Sequence, residues 1–436
     1  MKNQATLVQN TVFTENNKRL PLYPSRLILL VLLCALATGL LPQNILSIVI
    51  LGASLLLVGT KQIYLVFPVM LFYYSPFGLL AGMSVYRFFT IIFLLIALAE
   101  AKTFRLHKSY ILPFFLFTVY CIVVLSPDGA RRAVFAILDI FCVLILIQHY
   151  LQKPENLRRF FAVYALVALF SFVTGLVLGG NEGNTIIING EIVQLIRYTA
   201  TFEDPNYMGF FFTIAVFSLL ALKLFHPKFR TLLIIALYAM MLSTLSITMI
   251  VVNTILWVIY LWIAKKLNLK TLIVVLLILA ILFGLYTIGL NNPDTPILGT
   301  LAFRISEKLT SLFEDDLNSV TTGRTNLTLK HWRHFTEQSF LKMLIGMNAA
   351  SPLKVGGGLD DVAHNEYVDL LLNIGILGTL VYLGFLFLRC VRLLKNYIQN
   401  KNRDDLCLFM VKCVWLLYAM TLTVFGDFRF SFFFFL

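Results

Sequence analysis

His364 is the residue in this sequence with the clearest potential for proton transfer. It stands in the run Ala363-His364-Asn365-Glu366, directly before an apolar segment that is predicted to be a helix starting at Asn365 or Glu366. The positive end of a helix dipole disfavours imidazolium, so a neutral ring is expected at pH 7. A neutral imidazole can accept a proton from a hydroxyl group. The alternative is a histidine whose hydrogen bonds are made by nearby backbone.

Two arginines are candidates for an anion site. Arg197 lies near the end of a short polar stretch, and Gly323-Arg324 lies in a much longer polar segment. A glycine lets backbone amides approach a phosphate, and a guanidinium fork can bind one through two parallel hydrogen bonds. The alternatives are that Arg197 extends its charge along apolar surface to reach water, and that Arg324 is a solvated surface residue.

The run Asp204-Pro205-Asn206 precedes another apolar segment. Asp204 or Asn206 can cap the first turn of a helix, and proline is favoured in that turn. A structural role as a helix start is therefore the favoured interpretation of these three residues.

The elements that must position these groups are membrane helices. Of the 436 residues, 59% are hydrophobic and 13% are charged, and the mean hydropathy is +0.86. Soluble domains are about half apolar and about a quarter charged. A spanning helix needs about 20 mainly apolar residues, and such windows occupy most of the chain. We predict an all-α, polytopic helical membrane protein.

About 12–14 transmembrane helices are expected from the apolar windows. These windows are residues 27–42, 44–60, 62–78, 84–100, 110–126, 132–150, 159–179, 206–224, 230–245, 247–264, 271–290, 366–388 and 406–425. The apolar block 230–264 is divided into two spans by a turn near Ser243–Thr248. The tail 428–436 is too short to cross alone, and we interpret it as a partial helix that dips back into the membrane.

The basic residues predict the orientation. With the N-terminus in the cytoplasm, most lysines and arginines near the span ends fall on the inner side, as the positive-inside rule expects. This rule explains the net charge of +13 without nucleic acid as a partner. The outer face then carries a smaller loop, 180–205, and a large loop, 291–365. Arg131 and Arg132 depart from the rule and are a second, weaker candidate for an anion site.

The predicted organisation is one integral membrane domain with an external loop. Its parts are a cytoplasmic tail (1–26), a transmembrane bundle (27–290), the large extracytoplasmic loop (291–365) and C-terminal transmembrane helices (366–436). Two short helices are expected in the large loop, Thr300–Phe313 and Thr325–Met343, from the helical spacing of their apolar residues. The six cysteines lie in or beside apolar windows without metal-ligand or disulfide spacing, which indicates small buried hydrophobes.

Three motifs follow one another along the chain. They are Arg197 with Asp204-Pro205-Asn206, then Gly323-Arg324, then His364-Asn365-Glu366-Tyr367 running into the Gly375-Ile376-Leu377-Gly378 segment. From about residue 190 to the end, their order and setting resemble the O-antigen polymerase and O-antigen ligase superfamily. The resemblance implies a fold similar to the membrane glycosyltransferases of the GT-C class.

In that superfamily a glycan is cleaved from undecaprenyl pyrophosphate and passed to an acceptor. The resemblance implies that Arg197 and Arg324 hold the pyrophosphate and that His364 is catalytic. The residues that it assigns supporting roles are Asp204, Asn206, Asn365 and Glu366. It implies no metal and no other cofactor, because the lipid pyrophosphate is itself the leaving group.

One departure from the family pattern concerns a second arginine site. Many relatives carry Ser-Arg near the outer end of the span that follows the Asp-Pro-Asn helix, whereas this chain has Ser246-Ile247. Arg304 or Arg333 is the candidate to replace the missing guanidinium, and Arg304 joins the predicted pyrophosphate-binding residues.

The function expected from these motifs is polysaccharide polymerisation in the cell inner (cytoplasmic) membrane. The implied partners are an undecaprenyl-pyrophosphate-linked glycan, an acceptor glycan, membrane lipid, a chain-length regulator and a flippase. A ligase that moves a finished glycan to a lipid or protein would use the same residues. A transporter or flippase is a third reading, but Asp139 is the main mid-span charge and no repeated half is evident.

Overall fold

A computed structural model shows the chain to be mostly helical, as predicted. It describes residues 60–73, 79–80, 83–100, 107–120, 122, 130–178, 181–188, 191–264, 324–346, 363–422 and 428–436, with short pieces between 283 and 310. The predicted tail 1–26, the span 27–42 and most of the spans 44–60 and 271–290 lie outside the described residues. Most of the predicted helix Thr300–Phe313 also lies outside them.

The helices follow the order of the apolar windows. They are α1 (Phe67–Phe72), α2 (Val85–Glu100), α3 (Lys108–Tyr120), α4 (Ala130–Ile145), α5 (Pro154–Leu178), α6 (Pro205–Leu222), α7 (Pro227–Leu242), α8 (Ile247–Ile263), α9 (Arg324–Thr336), α10 (Phe340–Ile345), α11 (Glu366–Asn400), α12 (Arg403–Tyr418) and α13 (Phe428–Phe435). A 3-10 helix, Thr60–Val66, leads into α1, and a π-helical turn, Leu146–Leu151, extends α4.

Four of the described stretches are long and apolar enough to cross a membrane. These are Val134–Leu151, Pro154–Val177, Pro205–Leu222 and Glu366–Asn400. Helices of this length and composition indicate a membrane protein, since about 20 apolar residues match the hydrocarbon thickness.

The predicted division of the apolar block 230–264 into two helices is confirmed. α7 ends at Leu242 and α8 begins at Ile247. Ser246 caps α8, and its hydroxyl accepts a hydrogen bond from the Met249 amide (3.3 Å). The turn between the helices is therefore closed by a side chain that supplies one of the bonds a helix start lacks.

Part of the smaller loop 180–205 forms strands, which the all-α prediction did not include. Earlier in the chain, β1 (Leu79–Leu80) and β2 (Met83–Ser84) form a first, short antiparallel hairpin. Within the loop, β3 (Asn181–Ile188) pairs antiparallel with β4 (Glu191–Tyr198). The second hairpin has a physical reason in the sequence. Its strands are rich in isoleucine, which favours strands, and Asn-Gly stands between them in the sequence, a strong hairpin signal.

α6 is the most buried of the four long helices, with 89% of its window inside the protein. Its phenylalanines pack against rings from several other elements; Phe211, for example, stacks on Phe202 with ring centroids 4.8 Å apart. Gly209 allows close approach on another side, because a Cβ there would lie 3.0 Å from the Tyr418 hydroxyl of α12. α6 is thus the central helix against which the surrounding helices pack.

Hydrogen bonds between segments define two ends of the helical bundle. At the end that we call the upper end, the Tyr198 amide donates to the Ser243 carbonyl (3.2 Å) and the Glu366 amide donates to the Ala419 carbonyl (2.8 Å). The upper end therefore joins the ends of α7 and α12 to the starts of α6, α8 and α11.

The opposite end, which we call the lower end, is joined by charged and polar side chains. Arg158 Nε lies 3.0 Å from Asp404 Oδ1 and links α5 to α12. The described lower-end segments, from 152 to 159, from 223 to 230 and from 401 to 403, are rich in basic residues. Those residues are Lys153, Arg158, Arg159, Lys223, Lys228, Arg230, Lys401 and Arg403.

The tail forms a short helix, α13, that lies in the protein core. Phe432, Phe433 and Phe434 are fully buried. The Lys412 side-chain nitrogen of α12 is also fully buried and donates to the carbonyl oxygens of Phe433 (2.8 Å) and Phe434 (2.5 Å). A donor at the carbonyl end of a helix satisfies groups that have no partner within it.

A buried polar network fastens α6, α7, α8 and α12 together. The Asn253 amide donates to the Thr213 hydroxyl (2.9 Å), and its oxygen accepts from the Tyr238 hydroxyl (3.1 Å). Trp257 Nε1 donates to the same Tyr238 oxygen (2.7 Å), and the Thr213 and Tyr418 hydroxyls lie 3.2 Å apart. Without water, such hydrogen bonds hold apolar helices in one arrangement.

We expect Asn253→Leu to lower the free energy of unfolding by about 1–2 kcal/mol, because interhelical hydrogen bonds in membranes contribute roughly 0.6 to 1.7 kcal/mol and the change removes two of them. Thermal unfolding of the purified protein in detergent measures the effect. Thr254→Val is the matched control, since the exposed Thr254 hydroxyl bonds only to Ile250 within α8 in the described structure. Equal melting temperatures for both variants would contradict the role of the network.

Candidate functional site

His364 lies at the upper end, immediately before α11. Asn365 caps this helix, and its side-chain oxygen accepts from the amides of Tyr367 (3.1 Å) and Val368 (3.3 Å). The prediction of a helix start at Asn365 or Glu366 is therefore confirmed. His364 is half-buried and has a φ of 50°, a left-handed conformation that few non-glycine residues adopt. The turn before the cap thus fixes the backbone that carries the imidazole.

Glu366 is the first residue of α11 and its side chain is fully buried. Its amide donates to the Ala419 carbonyl (2.8 Å), just after α12 ends. One residue further on, the Tyr367 hydroxyl donates to the Leu416 carbonyl (2.7 Å). These two bonds hold the start of α11 against the end of α12, so His364 has a fixed position relative to both helices.

Arg324 is the first residue of α9, and its Nη1 donates to the Thr421 carbonyl (3.2 Å). One turn along α9, the Thr328 hydroxyl donates to the carbonyl of the buried Ala363 (3.1 Å), the neighbour of His364. α9 therefore brings the Arg324 guanidinium and the His364 backbone into one group at the end of α12. We call Arg324, His364 and Glu366 the histidine group.

The prediction of a single helix over Thr325–Met343 is wrong in one respect, because the structure has two helices there. α9 ends at Thr336 and α10 begins at Phe340, with Glu337–Ser339 between them. Ser339 is the residue before α10 and has an extended backbone. Helical spacing of apolar residues does not reveal such a break, because the spacing continues on both sides of it.

Arg197 lies in β4, close to the upper end. Its Nε donates to the Thr244 carbonyl (3.0 Å) in the turn between α7 and α8. The neighbouring Tyr198 amide donates to the Ser243 carbonyl (3.2 Å). The guanidinium is thus positioned by two adjacent bonds to the same turn.

Asp204, Pro205 and Asn206 form the start of α6, as predicted. The Asp204 carboxylate accepts from the Asn206 amide (2.5 Å), and Pro205 is the first helical residue. The buried Asn206 side chain has a further partner, because its oxygen accepts from the Ser246 hydroxyl (2.7 Å). We call Arg197, Asn206 and Ser246 the turn group, since all three meet at the α7–α8 turn.

The structure therefore gathers the predicted residues into two groups at one end of the bundle. Arg324, His364, Asn365 and Glu366 belong with the end of α12, whereas Arg197, Asp204 and Asn206 belong with the α7–α8 turn. Both turns border the start of α6 and the aromatic residues that surround it. Arg304 and Gly323 lie outside the described residues.

Two glycines dock the large loop onto α11. Gly375 interrupts α11 with a φ of 67°, and Gly346 follows α10 with a φ of 98°. A Cβ on Gly375 would lie 2.4 Å from the Gly346 nitrogen and 2.5 Å from the Leu344 oxygen. Both the positive φ and the contact of backbone against backbone require glycine here. Gly375 thus forms the surface of α11 on which the end of α10 packs.

Among the described residues, no group of three or more His, Cys, Asp or Glu side chains could hold a metal ion. The described cysteines Cys142, Cys390, Cys407 and Cys413 are free and buried. This agrees with their interpretation as small buried hydrophobes.

One charged residue at the upper end, Arg429 in α13, was not among the residues predicted from the sequence. It is only 3% exposed, and its guanidinium carbon lies 5.5 Å from the centre of the Tyr207 ring in the first turn of α6. The signal that could have found it is an arginine within an otherwise apolar run. A charge in such a run is costly in a membrane and often functional.

No protein-family model matches this chain, and no curated protein is similar to it in sequence.

Replacement of Gly375 by alanine is expected to release α10 from α11, because the added Cβ would strain the backbone and collide with the Gly346 and Leu344 backbone. Limited proteolysis of the protein in detergent should then cut the segment 324–346 faster than in the wild type, by about tenfold or more if docking is lost. Gly384→Ala, in the same helix, is the matched control, since its Cβ would meet nothing within 4 Å. Equal cleavage of all three proteins would disprove the docking role.

Proposed function

We propose that this chain is a membrane glycosyltransferase of the GT-C type that polymerises undecaprenyl-pyrophosphate-linked oligosaccharide units on the outer face of the cytoplasmic membrane. The observation that supports this most directly is the histidine group. One helix, α9, places a guanidinium beside the turn that carries His364, at the capped end of a membrane bundle. An anion-binding residue next to a general base is what transfer from a lipid pyrophosphate requires.

The distribution of charge supports the proposed orientation. The lower end carries the basic residues described above, and an excess of lysine and arginine is typical of cytoplasmic loops. The upper end, with Arg197, Arg324 and His364, then faces outward. In this proposal about 12–14 helices cross the membrane, and residues 291–365 form the extracytoplasmic loop.

The proposed reaction starts with the attack of an acceptor hydroxyl on the anomeric carbon of the donor glycan. His364 takes the hydroxyl proton as the new glycosidic bond forms. The bond between the anomeric carbon and the pyrophosphate oxygen breaks, and its electron pair leaves with undecaprenyl pyrophosphate. The proton on His364 then passes to water.

Arg324 and Arg197 supply the charge that this leaving group needs. A guanidinium carries five N–H donors in a planar fork, and Arg324 uses one of its nitrogens on the Thr421 carbonyl. That bond fixes the side chain while other donors of the fork can face the pyrophosphate. Prepositioned donors stabilise the developing negative charge most strongly where water is excluded.

The acceptor separates polymerase from ligase. Transfer of a finished glycan to another lipid or to a protein would use the same base and the same arginines. A ladder of products that differ by one repeat unit identifies a polymerase, whereas a single transfer to a different acceptor identifies a ligase.

We expect His364→Ala to slow chain extension about 100- to 10,000-fold, the usual contribution of a positioned base. The assay uses purified protein in nanodiscs with lipid-linked repeat units and measures product length by gel electrophoresis. His226→Ala is the matched control, because His226 is exposed at the lower end. Unchanged extension by His364→Ala would remove the imidazole from the mechanism, while loss in both variants would point to a general defect.

The orientation gives a separate prediction. Glu337→Cys, at the exposed break between α9 and α10, should react with a membrane-impermeant maleimide in intact cells. Lys401→Cys, exposed between α11 and α12, should react only after the cells are permeabilised. The wild-type chain gives the background from its own cysteines. The reverse pattern would place the histidine group in the cytoplasm and contradict the proposed function.

A further inference from the structure

β4 is an edge strand without the usual protection against pairing. Among the described strands, it pairs with β3 alone. Its register with β3 is one residue against one throughout, without a bulge, and the strand Glu191–Tyr198 contains neither lysine nor proline. Bulges, lysine and proline are common devices that keep a sheet edge from pairing with another strand. β4 therefore has the features of a strand that accepts a partner.

The register of the hairpin shows which backbone groups of β4 point to its outer edge. Ile188 and Glu191 pair across only two residues, so these two residues bond directly to each other. Bonded and non-bonded pairs alternate along an antiparallel ladder. The N–H and C=O groups of every second residue from Ile192 to Tyr198 are therefore directed away from β3.

The outer edge of β4 is bounded at both ends. The Tyr198 amide, one of the groups directed away from β3, donates to the Ser243 carbonyl of the α7–α8 turn (3.2 Å). At the other end, β4 begins at Glu191, which follows the connection from β3. The stretch Glu191–Arg197 lies between these limits, and Gln194 is its central residue.

This stretch is complementary to itself in the antiparallel direction. Its sequence is Glu-Ile-Val-Gln-Leu-Ile-Arg. A pair of such strands centred on Gln194 places the acidic end, Glu191, opposite the basic end, Arg197, of the other copy, with apolar residues opposite one another between them. Opposite charges and apolar pairs across neighbouring strands stabilise a sheet. The same register aligns the outward N–H and C=O groups of Ile192, Gln194 and Ile196 for bonding.

Other occupants fit this edge less well. Hydrocarbon cannot bond to the N–H and C=O groups of a sheet edge. The strand β3 (Asn181–Ile188) contains one acidic residue and no basic residue, so it does not match the two charged ends of β4. The strand that matches both the charges and the apolar residues is a second β4.

We propose that two copies of this chain associate through their β4 strands, which pair antiparallel about a twofold axis at Gln194. Such a contact is isologous, because Glu191 of each copy stands opposite Arg197 of the other. The two hairpins then form one sheet in the order β3-β4-β4-β3. A two-stranded hairpin is marginally stable alone, whereas three or more strands can support one another. This association does not depend on which reaction the chain catalyses.

A disulfide at the twofold axis tests the pairing. Position 194 of one copy would stand opposite position 194 of the other, with the Cα atoms about 5.5 Å apart, a separation that suits a disulfide. Membranes that contain Gln194→Cys are oxidised with copper phenanthroline and separated on a non-reducing gel. We expect about tenfold more reducible dimer than for the wild type, whose own cysteines set the background. A dimer yield equal to that of the wild type would overturn the inference.

The register is tested by moving the cysteine along β4. The two copies of position 192 would be about 14 Å apart along the strands, at about 3.4 Å per residue, so Ile192→Cys alone should give no dimer above background. Ile192 stands opposite Ile196 of the second copy, so co-expressed Ile192→Cys and Ile196→Cys chains should crosslink. Strong crosslinking of Ile192→Cys alone, or none in the mixture, would overturn pairing about Gln194.

Two proline variants compare the two edges of the hairpin. Gln194→Pro removes an N–H that is directed away from β3, and proline is tolerated at such edge positions. Thr185→Pro is the matched control, because Thr185 pairs with Gln194 in the register and its N–H is directed to the outer edge of β3. Energy transfer between differently labelled copies in dilute proteoliposomes should fall to background for Gln194→Pro and stay at the wild-type level for Thr185→Pro.

Equal energy transfer in the two proline variants, at unchanged melting temperatures, would overturn the inference. If Gln194→Pro does not fold, the cysteine variants still decide the matter, because they leave every backbone N–H in place. A chain that forms this dimer but transfers no glycan would contradict the proposed function alone. A monomeric chain that extends glycans would contradict the dimer alone.

Discussion

The structure depends on one constraint. In an apolar helical bundle, the backbone N–H and C=O groups at every helix end need hydrogen-bond partners. At the carbonyl end of α13, the Lys412 side-chain nitrogen donates to two carbonyls. The turn after α7 receives Arg197 at Thr244, and the turn after α12 receives Arg324 at Thr421. Lysine and arginine side chains therefore lie where these helices stop, because each offers several N–H donors to carbonyls that lack a helical partner.

The same constraint explains why the candidate site lies at the upper end. There the starts of α6, α8 and α11 are capped by Asp204, Ser246 and Asn365, and the ends of α7 and α12 turn beside them. An end rich in amides, carbonyls and guanidinium groups can bind a charged headgroup while the bundle below stays apolar. At the lower end Asn402 also caps a helix start, that of α12, but the predicted site residues lie at the upper end.

α11 links the membrane body to the large loop. Its break at Gly375 accepts α10, and its start is held by α9 through the bond from Thr328 to Ala363. The loop is thus attached at two levels of one helix. Arg324 and His364 keep their relative position because both are fixed to the same helix start and to the same turn after α12.

The sequence determined that the protein is mostly helical with apolar helices typical of a membrane protein, and it named the candidate site residues. Composition and apolar windows were enough to predict apolar helices of membrane-spanning length, since the length of such an apolar run is set by the hydrocarbon thickness. Local sequence patterns, which act over one or two helical turns, account for several features. These are the division of 230–264, the caps at Asp204 and Asn365 and the helix start at Glu366. The β3–β4 hairpin also has a local signal in Asn189-Gly190, although the prediction was all-α.

Only the tertiary structure decided which of these local features meet. The bond from Arg324 to Thr421 joins residues 97 positions apart, and the end of α10 packs on Gly375 of the distant helix α11. The burial of Arg429 was not predicted, because it depends on the Tyr207 ring and on the Lys412 contact that holds α13 in place. Local patterns set the helices, but contacts between distant segments depend on how the helices pack, and no single stretch of sequence contains that information.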